Sequence, residues 1–133
     1  MNANLFVDTS AWFAFANRSD PDHDSVREVL TRFEGRLFTS NFVFDETVTL
    51  ARYRLGHHVA AKIGDSLLDG NVVRLIRATA DDELRAWELF RKRPDQRYSY
   101  TDCLSFEFMK RLEVTRAAAL DDDFVREGFE VLP

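Results

Sequence analysis

The sequence predicts a single α/β domain with a mostly parallel sheet, and three observations lead there. Short apolar runs alternate along the chain with longer segments of helical periodicity, the pattern of strand–helix–strand units. A length of 133 residues suits one domain that buries its own core. Hydrophobic residues make up 45% and charged residues 31%, with twelve Phe and two Trp, which is ordinary globular usage with large side chains for the interior. Residues 1–133 read as one unit, without repeat, low-complexity run or linker. Pro21, Pro94 and Pro133 fall at element boundaries.

Taken in order, Asn4–Asp8 reads as a short buried strand, because Leu5-Phe6-Val7 is a continuous apolar run. Thr9–Ala16 follows as a helix. Pro21–Phe33 is a second helix, with proline in its first turn and acids at the positive end of the dipole. Leu37–Thr39 is a strand, and Asn41–Leu55 and His57–Leu68 are helices. Val72–Arg77 is a strand. Ala80–Lys92 is a helix opening on Asp81, Asp82 and Glu83, acids that favour the positive end of its dipole. Thr101–Leu112 is a helix, Thr115–Leu120 a strand, Asp122–Glu127 a short helix and Phe129–Leu132 a last strand.

Several function classes drop out. The one cysteine, Cys103, allows neither an intrachain disulfide nor a cysteine-based zinc site, and fits a reducing, cytoplasmic setting. Residues 1–10 lack a basic n-region, Asp8 interrupts the apolar stretch, and no window reaches 18 apolar residues, so no membrane span is expected. A net charge of −5, from 23 acids against 18 Lys and Arg, is wrong for a basic nucleic-acid coat protein. That objection lifts if several of the acids gather around cations. Asp20–Asp24 resembles the start of an EF-hand loop, but Ser25 stands where glycine is required and Thr31 where the bidentate glutamate belongs. No glycine-rich phosphate loop exists, and Ser10 stands where a dehalogenase-type phosphotransferase needs its second aspartate. His57 and His58 are adjacent, so they point apart on a helix and read as surface residues.

Four acids resist a routine account. On a helical wheel, Glu46 falls within an arc of Phe42, Val43, Leu50 and Tyr53. A carboxylate there needs an arginine partner or a metal ion. Asp102 lies in the first turn of its helix, where capping is the competing role, with Ser99 or Thr101 as the other cap. Asp8 ends the first strand and either caps the next helix or faces a ligand. Asp121, Asp122 and Asp123 crowd the turn after the Ala117–Leu120 run, where mutual repulsion invites a cation. Ligands of parallel sheets bind beyond the carboxyl ends of the strands, and these acids converge there. Such a cluster suits Mg²⁺ or Mn²⁺, which prefer carboxylate oxygens.

The segments Val7-Asp8-Thr9-Ser10-Ala11-Trp12, Phe44-Asp45-Glu46-Thr47, Tyr100-Thr101-Asp102-Cys103-Leu104-Ser105-Phe106 and Ala119-Leu120-Asp121-Asp122-Asp123-Phe124 together resemble the PIN-domain family. They look most like the VapC toxins of type II toxin–antitoxin modules. The ending Glu127-Gly128-Phe129-Glu130-Val131-Leu132-Pro133 is similar too. The resemblance implies a PIN-like α/β/α sandwich and a Mg²⁺- or Mn²⁺-dependent endoribonuclease. It carries the catalytic acids over as Asp8, Glu46, Asp102 and Asp121, and places Ser10 near the metal. Asp122-Asp123 departs from the family's usual residues there, so Asp123 competes with Asp121 as a ligand beside Asp8 and Asp102. The alternative is a PIN module that binds RNA or a protein without cutting. The presence of all four acids favours the enzyme.

Three expectations concern partners. The stretch Arg91–Tyr100 mixes bases with aromatics and reads either as a cation-rich helix end with its loop or as an RNA-facing rim. Arg93, Arg97 and Tyr98, with Ser10, are the candidate RNA contacts. Trp12, Phe13, Phe15, Phe42 and Phe44 suggest a homodimer through the Phe42–Leu55 helix or its neighbour. A cognate antitoxin is expected to cover the acids with an arginine and to lay an amphipathic helix on the early helices.

Overall fold

In the computed structural model, which describes residues 3–133, twelve elements follow in order. They are β1 (Asn4–Val7), α1 (Thr9–Ala16), α2 (His23–Arg32), β2 (Arg36–Ser40), α3 (Asn41–Leu55), α4 (His57–Leu68), β3 (Arg74–Ile76), α5 (Ala80–Lys92), α6 (Tyr100–Arg111), β4 (Arg116–Ala118), α7 (Asp123–Arg126) and β5 (Glu130–Leu132). The five strands form one sheet in the order β3-β2-β1-β4-β5, with every pairing parallel. Seven helices flank it, giving the α/β/α arrangement.

The central position of β1 explains its composition. Leu5, Phe6 and Val7 are all fully buried, as a strand covered on both faces requires. Phe6 lies against Phe108 of α6 and Phe124 of α7, with ring centroids 5.8 and 6.1 Å away. Leu5 and Val7 point to the opposite face by strand alternation. There Thr39 of β2 fastens the neighbouring helix: its hydroxyl donates to Val7 O at 3.1 Å and accepts from Trp12 Nε1 at 3.4 Å. Gly35 is needed at the turn into β2, because a Cβ there would stand 2.0 Å from Ala3 O.

Element existence and type follow the sequence expectation throughout; the boundaries move. Pro21 lies in a turn before α2, whose N-cap is Asp22. β3 and β4 are three residues each, shorter than Val72–Arg77 and Thr115–Leu120; Val72 and Leu120, at the outer ends of those runs, are exposed. Among the described residues, no helix is long and apolar enough to cross a membrane.

Asp82 opens α5 with Asp81 and Glu83, as the sequence indicates, but unlike an ordinary first-turn acid it is fully buried. It completes a capping box with Thr79 and receives Arg111 Nε at 2.8 and 3.0 Å, with Arg85 3.7 Å away. Burial raises its pKa, but the bonds from Arg111 and Thr79 outweigh that and hold it below the ordinary carboxylate range.

Candidate active site

The strand order reverses between β1 and β4: the chain runs from β1 to β2 and β3 on one side, then returns to β4 and β5 on the other. The carboxyl ends of these two strands therefore frame the crevice in which doubly wound sheets hold their ligands. Asp8 follows β1 and Asp121 follows β4. α6 starts with Asp102 in its first turn, and α3 carries Glu46.

Asp8 is 3% exposed. It is the N-cap of α1, and its Oδ2 accepts from Ser10 N at 3.2 Å and Ser10 Oγ at 2.7 Å. Its Oδ1 is buried with no hydrogen-bond partner. Burial pushes its pKa up to about 7. The Ser10 bonds oppose that rise, while Asp102 and Asp121 add to it. Ser10 Oγ also accepts from Leu120 N at 3.1 Å, so one hydroxyl ties the two strand ends together.

Asp102 repeats the arrangement. Ser99, rather than Thr101, is the N-cap of α6, and the two form a reciprocal capping box: Ser99 N donates to Asp102 Oδ2 at 2.9 Å and Asp102 N to Ser99 Oγ at 3.0 Å. Burial raises the Asp102 pKa to about 6. The Ser99 backbone bond lowers it, and Asp121, Glu46 and Asp123 raise it further. Asp121 uses Oδ1 to accept from Asp123 N at 3.1 Å. Burial lifts its pKa, the Asp123 bond opposes this, and the charges of Asp123 and Asp122 reinforce it. Thus the capping and ligand readings of these acids do not compete. Each spends one carboxylate oxygen on a backbone N–H, and among the described residues the other has no hydrogen-bond partner.

Glu46 requires a correction. The buried stripe of α3 is Val43, Thr47 and Ala51, whereas Tyr53 is 84% exposed. Glu46 is half-buried beside that stripe rather than amid an apolar face. It has neither a hydrogen bond nor an arginine among the described residues, and its charge reaches Asp102. Asp123 is half-buried and its Oδ1 is taken by Arg126 Nη1 at 2.8 Å, which leaves Asp121 the less encumbered of the two.

The expected RNA rim divides. Tyr98 is 6% exposed, its ring edge-on to Phe106 at 5.1 Å and its hydroxyl on Glu127 Oε2 at 2.8 Å, so it cannot stack on a base. A tyrosine beside a basic run signalled RNA, but its partners lie 8 and 29 residues away, out of reach of a local reading. Arg93 also binds Glu127, at 3.2 Å. Arg97 is exposed. The histidines offer no acid–base pair: His23 Nδ1 bonds Ala14 O at 2.9 Å, and His57 and His58 are exposed on α4.

Among the described residues, no three His, Cys, Asp or Glu side chains already close into a cage around an ion. The carboxylates are near enough to raise one another's pKa but are not drawn together. The residues nonetheless fit a hard divalent cation: the donors are all oxygens, and the buried Asp8 Oδ1 lacks the partner that burial demands.

Residues 5–130 match the PIN domain family. The chain belongs to that family. Its relatives include the 23S rRNA-specific endonuclease VapC20 of Mycobacterium tuberculosis, 38% identical over 130 residues, 97% of this chain and 98% of that one. A VapC ribonuclease of Archaeoglobus fulgidus is 35% identical over 104 residues, 74% of this chain and 65% of that protein. The crystal structure of the mycobacterial VapC20, described as a sarcin–ricin loop cleaving toxin, superposes with a TM-score of 0.91 at 36% identity, covering 97% of this PIN domain and 99% of that chain.

Proposed function

We propose that this PIN domain is a VapC-type toxin endoribonuclease that cuts a single-stranded loop of structured RNA, with the sarcin–ricin loop of 23S ribosomal RNA as the first substrate to test. The observation that carries the reading is the half-used carboxylate cluster at the switch point of the sheet, above all the unpartnered buried Oδ1 of Asp8. The near-full-length similarity to the mycobacterial ribosomal RNA endonuclease supports the choice of loop.

Mg²⁺ or Mn²⁺ would be held by Asp8, Asp102 and Asp121, with Asp123 adjoining, and would supply Lewis-acid activation of water and of the scissile phosphate. The chain's own residues do the rest. The two capping bonds hold Asp8 and Asp102 in fixed rotamers. Glu46, half-buried and free of partners, takes the position of a group that orients the attacking water or accepts its proton. Arg97, exposed on the segment leading into α6, is our candidate contact to the RNA backbone. Ser10 acts through Asp8 and Leu120 rather than on the RNA.

Since no histidine pair can move a proton from the ribose 2′-hydroxyl, water is the nucleophile, and the products carry 5′-phosphate and 3′-hydroxyl ends. End-group analysis of cleaved RNA, with Mg²⁺ and EDTA controls, tests this. A 2′,3′-cyclic phosphate, or cleavage that survives EDTA, would overturn it.

Two partners complete the reading. A groove with Phe15, Leu55, Val59 and Ile63 on its floor and Arg27 and Lys62 at its rim suits an amphipathic antitoxin helix bearing acidic side chains. Co-expression with such an antitoxin should give a complex without nuclease activity; a stoichiometric complex that still cuts RNA would contradict it. For a homodimer, Trp12 is core and Phe13, Phe15, Phe42 and Phe44 are half-buried. The better anchors are the exposed Tyr53 of α3 and the stacked Trp87–Phe90 pair of α5. Light scattering that finds only monomer at tens of micromolar would rule the dimer out.

A further inference from the structure

Asp102 and the Asp121–Asp123 turn belong to segments that approach one another from different parts of the fold, and their charges push them apart. Something must hold the start of α6 against the start of α7. Ser99 and Asp102 cap each other within α6, and Ser10 ties Asp8 to Leu120 rather than to α6. Neither spans the gap.

Glu127, just beyond α7, has a side chain only 7% exposed. A carboxylate so buried requires partners. Its Oε2 accepts from Tyr98 Oη at 2.8 Å and from Arg93 Nε at 3.2 Å. Both donors lie in the segment leading into α6, and Tyr98 immediately precedes the N-cap Ser99. The Tyr98 ring is held as well: it lies edge-on to Phe106 of α6 at 5.1 Å, and Phe106 lies edge-on to Phe124 of α7 at 4.9 Å. Arg126 stands beside the same tyrosine hydroxyl and donates to Asp123 Oδ1 at 2.8 Å. Hydrogen bonds therefore join Arg93 and Tyr98, before α6, to Glu127 after α7, with Arg126 beside the tyrosine and bonded to Asp123.

We propose that Tyr98 and Glu127 are positioning residues: their hydrogen bond, backed by Arg93, latches the N-terminus of α6 to α7 and so sets the spacing between Asp102 and the Asp121–Asp123 turn. This rests on the proposed divalent-cation site. The latch touches neither RNA nor ion. It acts by keeping mutually repelling carboxylates at the separation one cation can bridge. Groups that orient ligands from behind typically alter metal affinity 10–100-fold, and a latch one step further removed should sit at the lower end.

The test is calorimetric titration of Mn²⁺ into the wild-type chain, Tyr98→Phe and Glu127→Gln, with thermal melts and RNA-cleavage kinetics alongside. Val26→Ala, a core cavity in α2 far from the latch, serves as the control for lost stability. Tyr98→Phe should weaken Mn²⁺ binding about tenfold, lower kcat at limiting Mn²⁺ with KM for RNA within about twofold, and recover kcat as Mn²⁺ is raised. Glu127→Gln, which still accepts from Tyr98, should fall between Tyr98→Phe and wild type. Val26→Ala should melt earlier and bind Mn²⁺ like wild type. If Tyr98→Phe and Glu127→Gln melt earlier but bind Mn²⁺ as wild type does, the latch is only structural and the proposal falls. If Tyr98→Phe does not fold, Glu127→Gln decides alone, on the same criterion. If the wild-type chain itself binds no Mn²⁺, the site reading fails, and the latch with it.

Discussion

Two aspartates of this chain are equally hidden from water and have opposite fates. Asp82, at the start of α5, is enclosed by Arg111, Arg85 and the Thr79 cap, and its pKa is held down. Asp8, after β1, has only Ser10 as a partner, keeps one oxygen without any and faces other carboxylates, and its pKa is driven up to about 7. The first is a satisfied structural charge. The second is a buried carboxylate without a countercharge, the feature on which the proposed metal site rests. Burial alone did not distinguish them; the sign of their neighbours did.

The largest effect expected from this contrast is at Asp82. Arg111→Met leaves a buried carboxylate with only the Thr79 cap and a distant arginine, and should lower unfolding free energy by about 3 kcal/mol, read from the urea midpoint. A loss below about 1 kcal/mol would mean that Asp82 tolerates isolation and that the comparison is empty. The mirror substitution acts on function. Asp8→Asn should reduce RNA cleavage at least about a hundredfold, measured as kcat at saturating Mg²⁺, while the apo protein becomes more stable by about 2 kcal/mol at neutral pH. The gain stays below the full shift because the amide keeps the Ser10 cap but buries an unpaired N–H where Oδ1 stood.

The pH windows have opposite signs. The Asp8 pKa is raised on folding, so between about 4 and 7 the folded state binds more protons than the unfolded one. Stability of the metal-free protein therefore falls as pH rises through that window. Asp102 adds the same trend up to about 6. Asp82 does the reverse: its folded pKa is lowered, so its contribution is present above the unfolded value and is lost on acidification through the folded one. Asp8→Asn should flatten the slope between pH 4 and 7 and leave the acid limb untouched, a distinction that unfolding curves at four or five pH values would resolve. The smallest effect is expected at the rim: Arg97→Ala should raise KM for RNA about two- to threefold and reduce the salt slope by about one unit, with kcat unchanged. An unaltered KM would remove Arg97 from the interface.

Much of this fold was legible because its signals are local. Strand runs such as Leu5-Phe6-Val7 and the helical spacing of α3 to α6 can be read from neighbours a few residues apart, and the strand-end acids point to the sheet edge by topology alone. What the sequence concealed is non-local. The wheel for α3 ranked Phe42, Val43, Leu50 and Tyr53 as the inward face; Val43 is buried, but it shares the buried stripe with Thr47 and Ala51, while Tyr53 is exposed. Asp82 read as one of three helix-opening acids, and its burial stayed hidden because Arg111 lies 29 residues away. Tyr98 read as an RNA contact because Glu127 is equally remote. At Asp8 and Asp102 the capping signal was correct but was set against a ligand role, when a carboxylate has two oxygens and capping takes one of them.

The central claim is that Asp8 is buried in want of a cation. Its most direct test is the melting temperature of the protein at pH 7.5 with and without excess Mn²⁺, for the wild type and for Asp8→Asn. The wild type should gain several degrees on adding Mn²⁺, since an ion that binds only the folded state stabilises it by mass action. The variant should start higher and gain little. Equal Mn²⁺ shifts in the two proteins, or an Asp8→Asn chain that melts below the wild type without metal, would contradict the account.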